Sequence, residues 1–410
     1  MKSNASAWCQ VFVAFWIQAI GIGSLVYAYG VVAVPLAEAF QPSRMLLMLG
    51  MAAMTLCAGL YSPWLGARID HSSLRRLMAI GVVAIAAGYL LLSWVGEMWQ
   101  VPVIYALLMS FGYATLGPLF ASTLLSRWFS QRRGLALGIA GMGTSFGGFC
   151  FPPLIQLMVE TYEWRTAFRL LALIIVAVGL PVVLLLTSDH HARKRAAVDP
   201  DRPVIGPVFD STQAVLGNRN FWLIALSVGV LFAVFTATAS NLVPFAVDHG
   251  IEKDRAALLI ALVAVLAVPG TLIFGALADH LDLRAALAML MSLIAVGLLC
   301  LLNDPPYAMM VVGSLLVGLG GGGMIPVWGA LLAKVFGLLD YGRVMGLMNP
   351  VLMLFTLVAP PLAGYLHDLT GSYDAAFLGF AVPLVAVILL LPLIRFSAAK
   401  AIGEASAQPS

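Results

Sequence analysis

Twelve apolar runs fill this chain, and the landmarks of the first six recur in the last six 208 or 209 positions later. The runs fall at about residues 11–36, 46–65, 77–95, 102–125, 134–158, 168–186, 221–247, 256–278, 285–302, 307–333, 345–366 and 377–394. Each is close to the roughly 20 residues that a helix rising 1.5 Å per residue needs to cross about 30 Å of hydrocarbon. Pro35 pairs with Pro244, Gly66 with Gly275, Asp70 with Asp279 and Phe168 with Phe377, all 209 apart. Gly138 pairs with Gly346, and Pro152-Pro153 with Pro360-Pro361, at 208. Gly and Pro are common here, but chance does not keep one offset across five helices, so a duplicated six-helix unit is the economical reading.

Composition fixes the solvent. With 61% apolar and 10% charged residues among 410, the chain departs from the roughly 45–50% apolar and 25% charged average of soluble domains. The runs are too long for barrel strands and lack a two-residue alternation, and lipid requires each backbone to satisfy its own hydrogen bonds. The expected fold is therefore an all-α integral membrane protein of twelve transmembrane helices in two pseudo-symmetric six-helix bundles. The expected units are residues 1–187, a polar linker at 188–220, residues 221–396 and a tail at 397–410.

Basic residues set the orientation. About 17 of the 22 Lys and Arg fall with the termini and even-numbered loops, leaving Arg44, Arg165, Arg169, Lys253 and Arg255 on the other side. Only cations vote in this rule, so both termini are expected in the cytoplasm of a bacterial inner membrane. The first run is longer than a signal-peptide core and is read as a retained helix. The cysteines (Cys9, Cys57, Cys150, Cys300) lie in or beside apolar runs at no metal-like spacing. No metal, cofactor or nucleic-acid partner is expected. No nucleotide-binding Gly-x-x-x-x-Gly-Lys-Ser/Thr occurs, so a gradient rather than ATP must drive any transport. An enzyme would need clustered nucleophile, base or metal ligands, and the histidines stand in loops or at helix ends, so no enzyme is expected.

Two loops repeat a motif. The second reads Gly66-Ala67-Arg68-Ile69-Asp70 followed by Arg75-Arg76, and the eighth Gly275-Ala276-Leu277-Ala278-Asp279 followed by Arg284. Glycine one turn before the acid allows close helix approach, and a carboxylate at a membrane boundary can cap a helix N-terminus. The arrangement resembles the loop signature of the major facilitator superfamily, with His71 where Arg is usual and Ser73 where a second Gly is usual. That resemblance implies a latch on the cytoplasmic side, with Gly66, Asp70, Arg76, Arg133, Gly275 and Asp279 as its parts. The run Arg127-Trp128-Phe129-Ser130-Gln131-Arg132-Arg133-Gly134-Leu135-Ala136-Leu137-Gly138 is sharper and is similar to the monocarboxylate transporter and oxalate:formate antiporter branch. Gly147-Gly148, Glu163-Trp164-Arg165 and Tyr29-Gly30-Val31 add to it. In the tenth span, Gly320 to Gly323 before Pro326 exceeds packing need and predicts a bend used in gating.

The charges that this branch usually places at its substrate site are missing. Thr271 stands at its Arg position, Ala267 at its Asp position, and Val31 and Leu352 where lysines occur in some relatives. No Asp, Glu, Lys or Arg lies at the centre of any span, and Arg169 is near enough to an interface to snorkel. A mid-membrane charge costs at least about 2.5–3.5 kcal/mol on insertion scales. Recognition therefore falls to hydroxyls, amides and aromatic faces. The candidates are Gln18 and Tyr29, eleven residues apart and so on one face of a regular helix, with Tyr113, Thr144, Thr238, Asn241, Trp328 and Asn349. The implied function is secondary active transport of a small organic metabolite, a carboxylate by resemblance, by a monomer using protons or a counter-substrate. A neutral or aromatic substrate, imported or exported, is the alternative that the uncharged interior favours.

Overall fold

A computed structural model describes residues 2–69, 72–129, 132–188, 211–337 and 340–396, without the side chains of residues 2–4, 44, 45, 253 and 254. Among the described residues, twelve long helices follow one another along the chain. The helix α1 starts at Lys2–Gln18, widens to a π-helix over Ala19–Tyr27 and resumes over Tyr29–Phe40. Next come α2 (Arg44–Ile69), α3 (Leu74–Leu92), α4 (Gln100–Trp128), α5 (Arg133–Thr161) and α6 (Trp164–Leu186). A short turn of helix at Thr212–Leu216 precedes α7 (Arg219–Asp248). The second set continues with α8 (Lys253–His280), α9 (Leu283–Leu299), α10 (Tyr307–Phe336), α11 (Tyr341–Thr370) and α12 (Asp374–Leu393).

Eleven of these are long and apolar enough to cross a membrane, and α9, at 17 residues, is an apolar helix one residue short of that measure. It stops early because Asn303 and Asp304 adopt positive φ (60° and 49°) and Pro305 and Pro306 follow. Starts are set by local chemistry: Ser73, Asn218 and Asp282 accept from the backbone N–H groups of Arg76, Asn220 and Arg284. Gly371 ends α11 in the left-handed conformation. Of the polar linker expected at 188–220, residues 189–210 lie outside the described residues, as does the tail from 397.

Two helices are broken at related places. Gly117 is extended and splits α4 before Pro118, and Gly323 splits α10 before Pro326, the two prolines lying 208 positions apart. The glycine run of α10 thus holds a break in the helix, and it has a partner in α4 that the residue pattern did not single out.

Packing between the halves is uneven. The helix α2 lies along α11 and α5 along α8, while the second pieces of α4 (Pro118–Trp128) and α10 (Met324–Phe336) meet each other and approach α5 and α11. By contrast α1 and α7 pack substantially only within their own halves. The halves therefore close on the face that carries Lys2 and Phe396, here the terminal face, and part toward the opposite face. Leu185, Phe149 and Leu389, 77%, 79% and 74% exposed, belong to the outward surface that lipid would cover.

Candidate functional site

The closed terminal face is built on backbone contact. A Cβ on Gly134 would stand 2.0 Å from the carbonyl oxygen of Gly275, and one on Gly346 would stand 2.4 Å from that of Ser62. Only glycine lets α5 meet α8, and α11 meet α2, this closely. The carboxylate of Asp279, at the end of α8, accepts from the backbone N–H groups of Gly134 (2.7 Å) and Leu135 (3.0 Å) at the start of α5. An anion thus caps a helix N-terminus across the two halves, where unpaired N–H groups and the helix dipole both favour it. Arg133 donates to the carbonyl of Phe129 at 3.1 Å. Ser122 of α4 donates to the sulfur of Met345 of α11 (3.0 Å), and Arg343 pairs with Asp340 at 3.2 Å. Arg76 is exposed at the start of α3. Asp70 lies outside the described residues.

Above this closure, one stripe of α5 faces the other half. Leu137, Gly141, Thr144 and Gly148 follow the three- and four-residue spacing that keeps residues on one helical face. At its start Leu137 lies over Gly329 of α10, and a Cβ on Gly141 would reach 3.3 Å from the Thr271 methyl of α8. Three turns on, the aromatic ring of Tyr27 rests against Gly148, 2.9 Å from where a Cβ would be, and the residue is 52% exposed. Tyr27 therefore stands in the space between the halves. Half-buried Tyr113 of α4 lies near enough to interact with it electrostatically.

The other candidates divide. Thr144 is half-buried on the same stripe and donates to Gly141 at 2.8 Å. Asn349 of α11 donates to Ser62 of α2 across the halves (3.4 Å), and Asn241 donates to Ala237 at 2.9 Å with Pro360 of α11 at 3.5 Å. Gln18, 2% exposed, ties α1 to α5 through the Ala140 carbonyl at 2.9 Å, and its own Oε1 has no partner among the described residues. Thr238 is fully buried on its own helix, donating to Val234. Trp328 is 3% exposed, packed edge-on to Phe232 with its N–H toward Met348.

Tyr29 is packed away: its hydroxyl donates to the Leu47 carbonyl of α2 and its ring meets Tyr105. The eleven-residue spacing from Gln18 assumed a regular helix, and the intervening π segment has more residues per turn. That change of period turns Tyr29 into its own half and leaves Tyr27 facing inward. The residue pattern carried no signal for it.

The position where the resembled branch carries arginine is closed as well. Thr271, 9% exposed, donates to Ala267 (2.7 Å) and across to Gly322 of α10 (2.9 Å). A Cβ on Gly138 would meet its carbonyl oxygen at 2.6 Å. A small hydroxyl here joins α5, α8 and α10, and no room is left for a guanidinium.

Comparison with known proteins agrees with this architecture. The sequence profile described as the Major Facilitator Superfamily matches residues 11–302 and again 232–410. Monocarboxylate transporter 11 of Homo sapiens is 28% identical over 396 residues, covering 90% of this chain and 79% of that protein. The MFS-type transporter YcxA of Bacillus subtilis (strain 168) is 25% identical over 403 residues, 93% of this chain and 94% of its own length. Among solved structures, a single-residue variant of the fucose:proton symporter FucP of E. coli superimposes with a TM-score of 0.70 at 16% identity, covering 96% of this chain and 99% of that one.

Proposed function

From the premise that the chain belongs to the major facilitator superfamily, and is a multi-pass membrane transporter rather than an enzyme, we propose that it moves a small monocarboxylate by alternating access. The observation that carries this reading is the similarity to monocarboxylate transporter 11 across 90% of the chain. The arrangement of the halves gives it a mechanism. In the conformation described, the Asp279 cap and the glycine contacts hold the terminal face shut while α1 and α7 stand apart. Substrate enters between the halves and meets Tyr27, Tyr113 and Thr144, with Asn241 and Asn349 on the other wall. Closure over it strains the inner contact, the cap releases, and the breaks at Gly117 and Gly323 absorb the bending.

Without a cation at mid-span, the carboxylate is held by neutral donors, or it enters protonated and brings its own proton. We read the terminal face as cytoplasmic, in a bacterial inner membrane, with the basic-residue bias as support for the sidedness, so the open face is outward. The protein acts as a monomer, with protons or a counter-substrate as the second partner. Thr271 in the arginine position favours a second reading, a neutral aromatic solute gripped by Tyr27 and Tyr113. Thermal shift of the purified protein separates the two. Stabilisation by short monocarboxylates supports the first, and stabilisation only by uncharged aromatic compounds replaces it with the second.

A further inference from the structure

The open face of the second half carries a group of side chains that the transport reading does not use. A cleft of about 560 Å³ is lined there by Asp248, His249, Asp304, Tyr307, His367 and Tyr373, among others. Four segments meet in it: the end of α7, the α9–α10 loop, the end of α11 and the α11–α12 loop.

The two histidines have an unusual set of neighbours. His367 points Nε2 at the Asp248 carboxylate (3.3 Å) and Nδ1 at that of Asp368 (3.6 Å). His249 points Nε2 at Asp304 (3.2 Å) and Nδ1 at the carbonyl oxygen of Phe245 (2.8 Å). Every one of these four neighbours is an acceptor. A neutral imidazole owns one N–H and one lone pair, so it can satisfy one of its two neighbours and must face the other lone pair to lone pair. Only the imidazolium, with a donor on each nitrogen, satisfies both. Ring stacking holds the orientations: Tyr373 lies on His367 with centroids 4.4 Å apart, and Phe245 lies 4.3 Å from His249.

From this geometry we infer that the His249–His367 cluster is a proton-binding site whose occupancy ties α7 to α11 and to the α9–α10 loop and favours the conformation open at this face. The occupant is a proton rather than a metal, because among the described residues no three His, Cys, Asp or Glu are grouped to hold a metal ion. Histidine is the side chain whose charge ordinarily changes between about pH 5 and 8. Among the described side chains, the other charged groups at this rim include Glu252 and Arg255 after α7, with Arg255 over the Tyr307 ring at 5.7 Å, and Asp374, which accepts from the Asn303 N–H at 3.2 Å. The negative field is felt by Tyr373, whose hydroxyl is pushed up by burial and then by Asp248 and Asp368. The carboxylates are exposed, Asp304 at 96% and Asp248 at 48% against 18% and 28% for their histidines, so Coulomb attraction alone contributes little. The sensitivity lies in the half-buried rings, each of which, without the second proton, must turn a lone pair toward one of its two acceptors. Acid therefore strengthens the brace and alkali relaxes it, and the end of α7 is then free to swing toward α1.

The inference rests on alternating access but not on the substrate. Its test is the distance between labels on the ends of α1 and α7 at the open face, measured by pulsed electron resonance in nanodiscs at pH 5.5 and pH 8 without substrate. The expected result is a ratio of open to closed populations at least about fivefold higher in acid, within the usual range for coupled sites, and no pH response in His249→Gln/His367→Gln. Asp248→Asn, which keeps the shape and removes one acceptor, should shrink the response and controls for a double variant that folds poorly. A pH response unchanged in these variants, or absent from the wild-type protein, overturns the proposal, whatever solute the protein carries.

Discussion

The glycine contact at the terminal face makes a prediction that runs against helix propensity. Alanine is the better helix former, by about 0.5–1 kcal/mol over glycine, so Gly134→Ala should fold at least as well as the parent wherever α5 is free. In the closed arrangement its Cβ would stand 2.0 Å from the Gly275 oxygen and 2.9 Å from the Ala278 Cβ. Ordinary contact begins near 3.4 Å, so the two backbones must part by about 1.4 Å, and neither can yield as a flexible side chain would. That separation carries the Asp279 bonds, now 2.7 and 3.0 Å, beyond useful length. Overpacking of this kind costs about 1–3 kcal/mol, felt only by the state closed at the terminal face, or about 5- to 150-fold in the conformational equilibrium. The assay is the distance between spin labels at Arg76→Cys and Leu281→Cys, exposed on the two halves, in a background lacking the native cysteines. A longer-distance population should grow in Gly134→Ala and stay at the parental level in Gly379→Ala, where a Cβ meets nothing within 4 Å. An unchanged distance distribution in a well-folded Gly134→Ala protein would refute the reasoning.

Further outcomes follow from the same geometry. Asp279→Asn keeps the shape of the cap but removes its charge, and should shift the same distance distribution in the same direction by about 1 kcal/mol, the usual worth of a charge at a helix N-terminus. Tyr27→Ala should weaken substrate binding about tenfold or more while the melting temperature holds; Tyr29→Phe, which loses a bond to the Leu47 carbonyl, should do the reverse, as titration calorimetry and a thermal melt would show. Gln18→Ala removes the tie between α1 and α5 and should destabilise the fold by about 1–3 kcal/mol in chemical denaturation. Thr271→Arg, although it restores the charge of the resembled branch, should lower folded yield in fluorescence-detected size exclusion, because Gly138 and Gly322 leave no space for it.

Hydrophobic length and a constant repeat offset are properties of the chain itself, which is why the twelve helices were legible in the residues. The Asp279 cap was readable for a similar reason: a carboxylate one turn past a glycine at a membrane boundary has few things to do. Side-chain direction was much less legible. Thr238, Thr144 and Thr271 are alike in sequence, each a hydroxyl in an apolar helix that can bond its own backbone. Only packing decides that Thr238 is sealed, Thr144 borders the space between the halves, and Thr271 bridges to α10. Periodicity misplaced Tyr29 and passed over Tyr27 because the π segment at Ala19–Tyr27 changes the residues per turn without a marker in residue type. The break at Gly117 was missed because a single Gly-Pro step is weaker than the four glycines of α10. The histidine pair of the open face was read only as loop or helix-end residues, since its meaning depends on acceptors from the ends of α7 and α11 and from the α9–α10 loop.

Counterflow in proteoliposomes tests the central claim most directly, because it needs neither a known coupling ion nor a known direction. Vesicles preloaded with an unlabelled short monocarboxylate and diluted into a trace of the labelled compound should take it up above equilibrium and then release it, saturably, and Tyr27→Ala should suppress the overshoot. Overshoot with uncharged aromatic solutes but with no monocarboxylate would contradict the substrate assigned here, and unsaturable flux without overshoot would contradict alternating access itself.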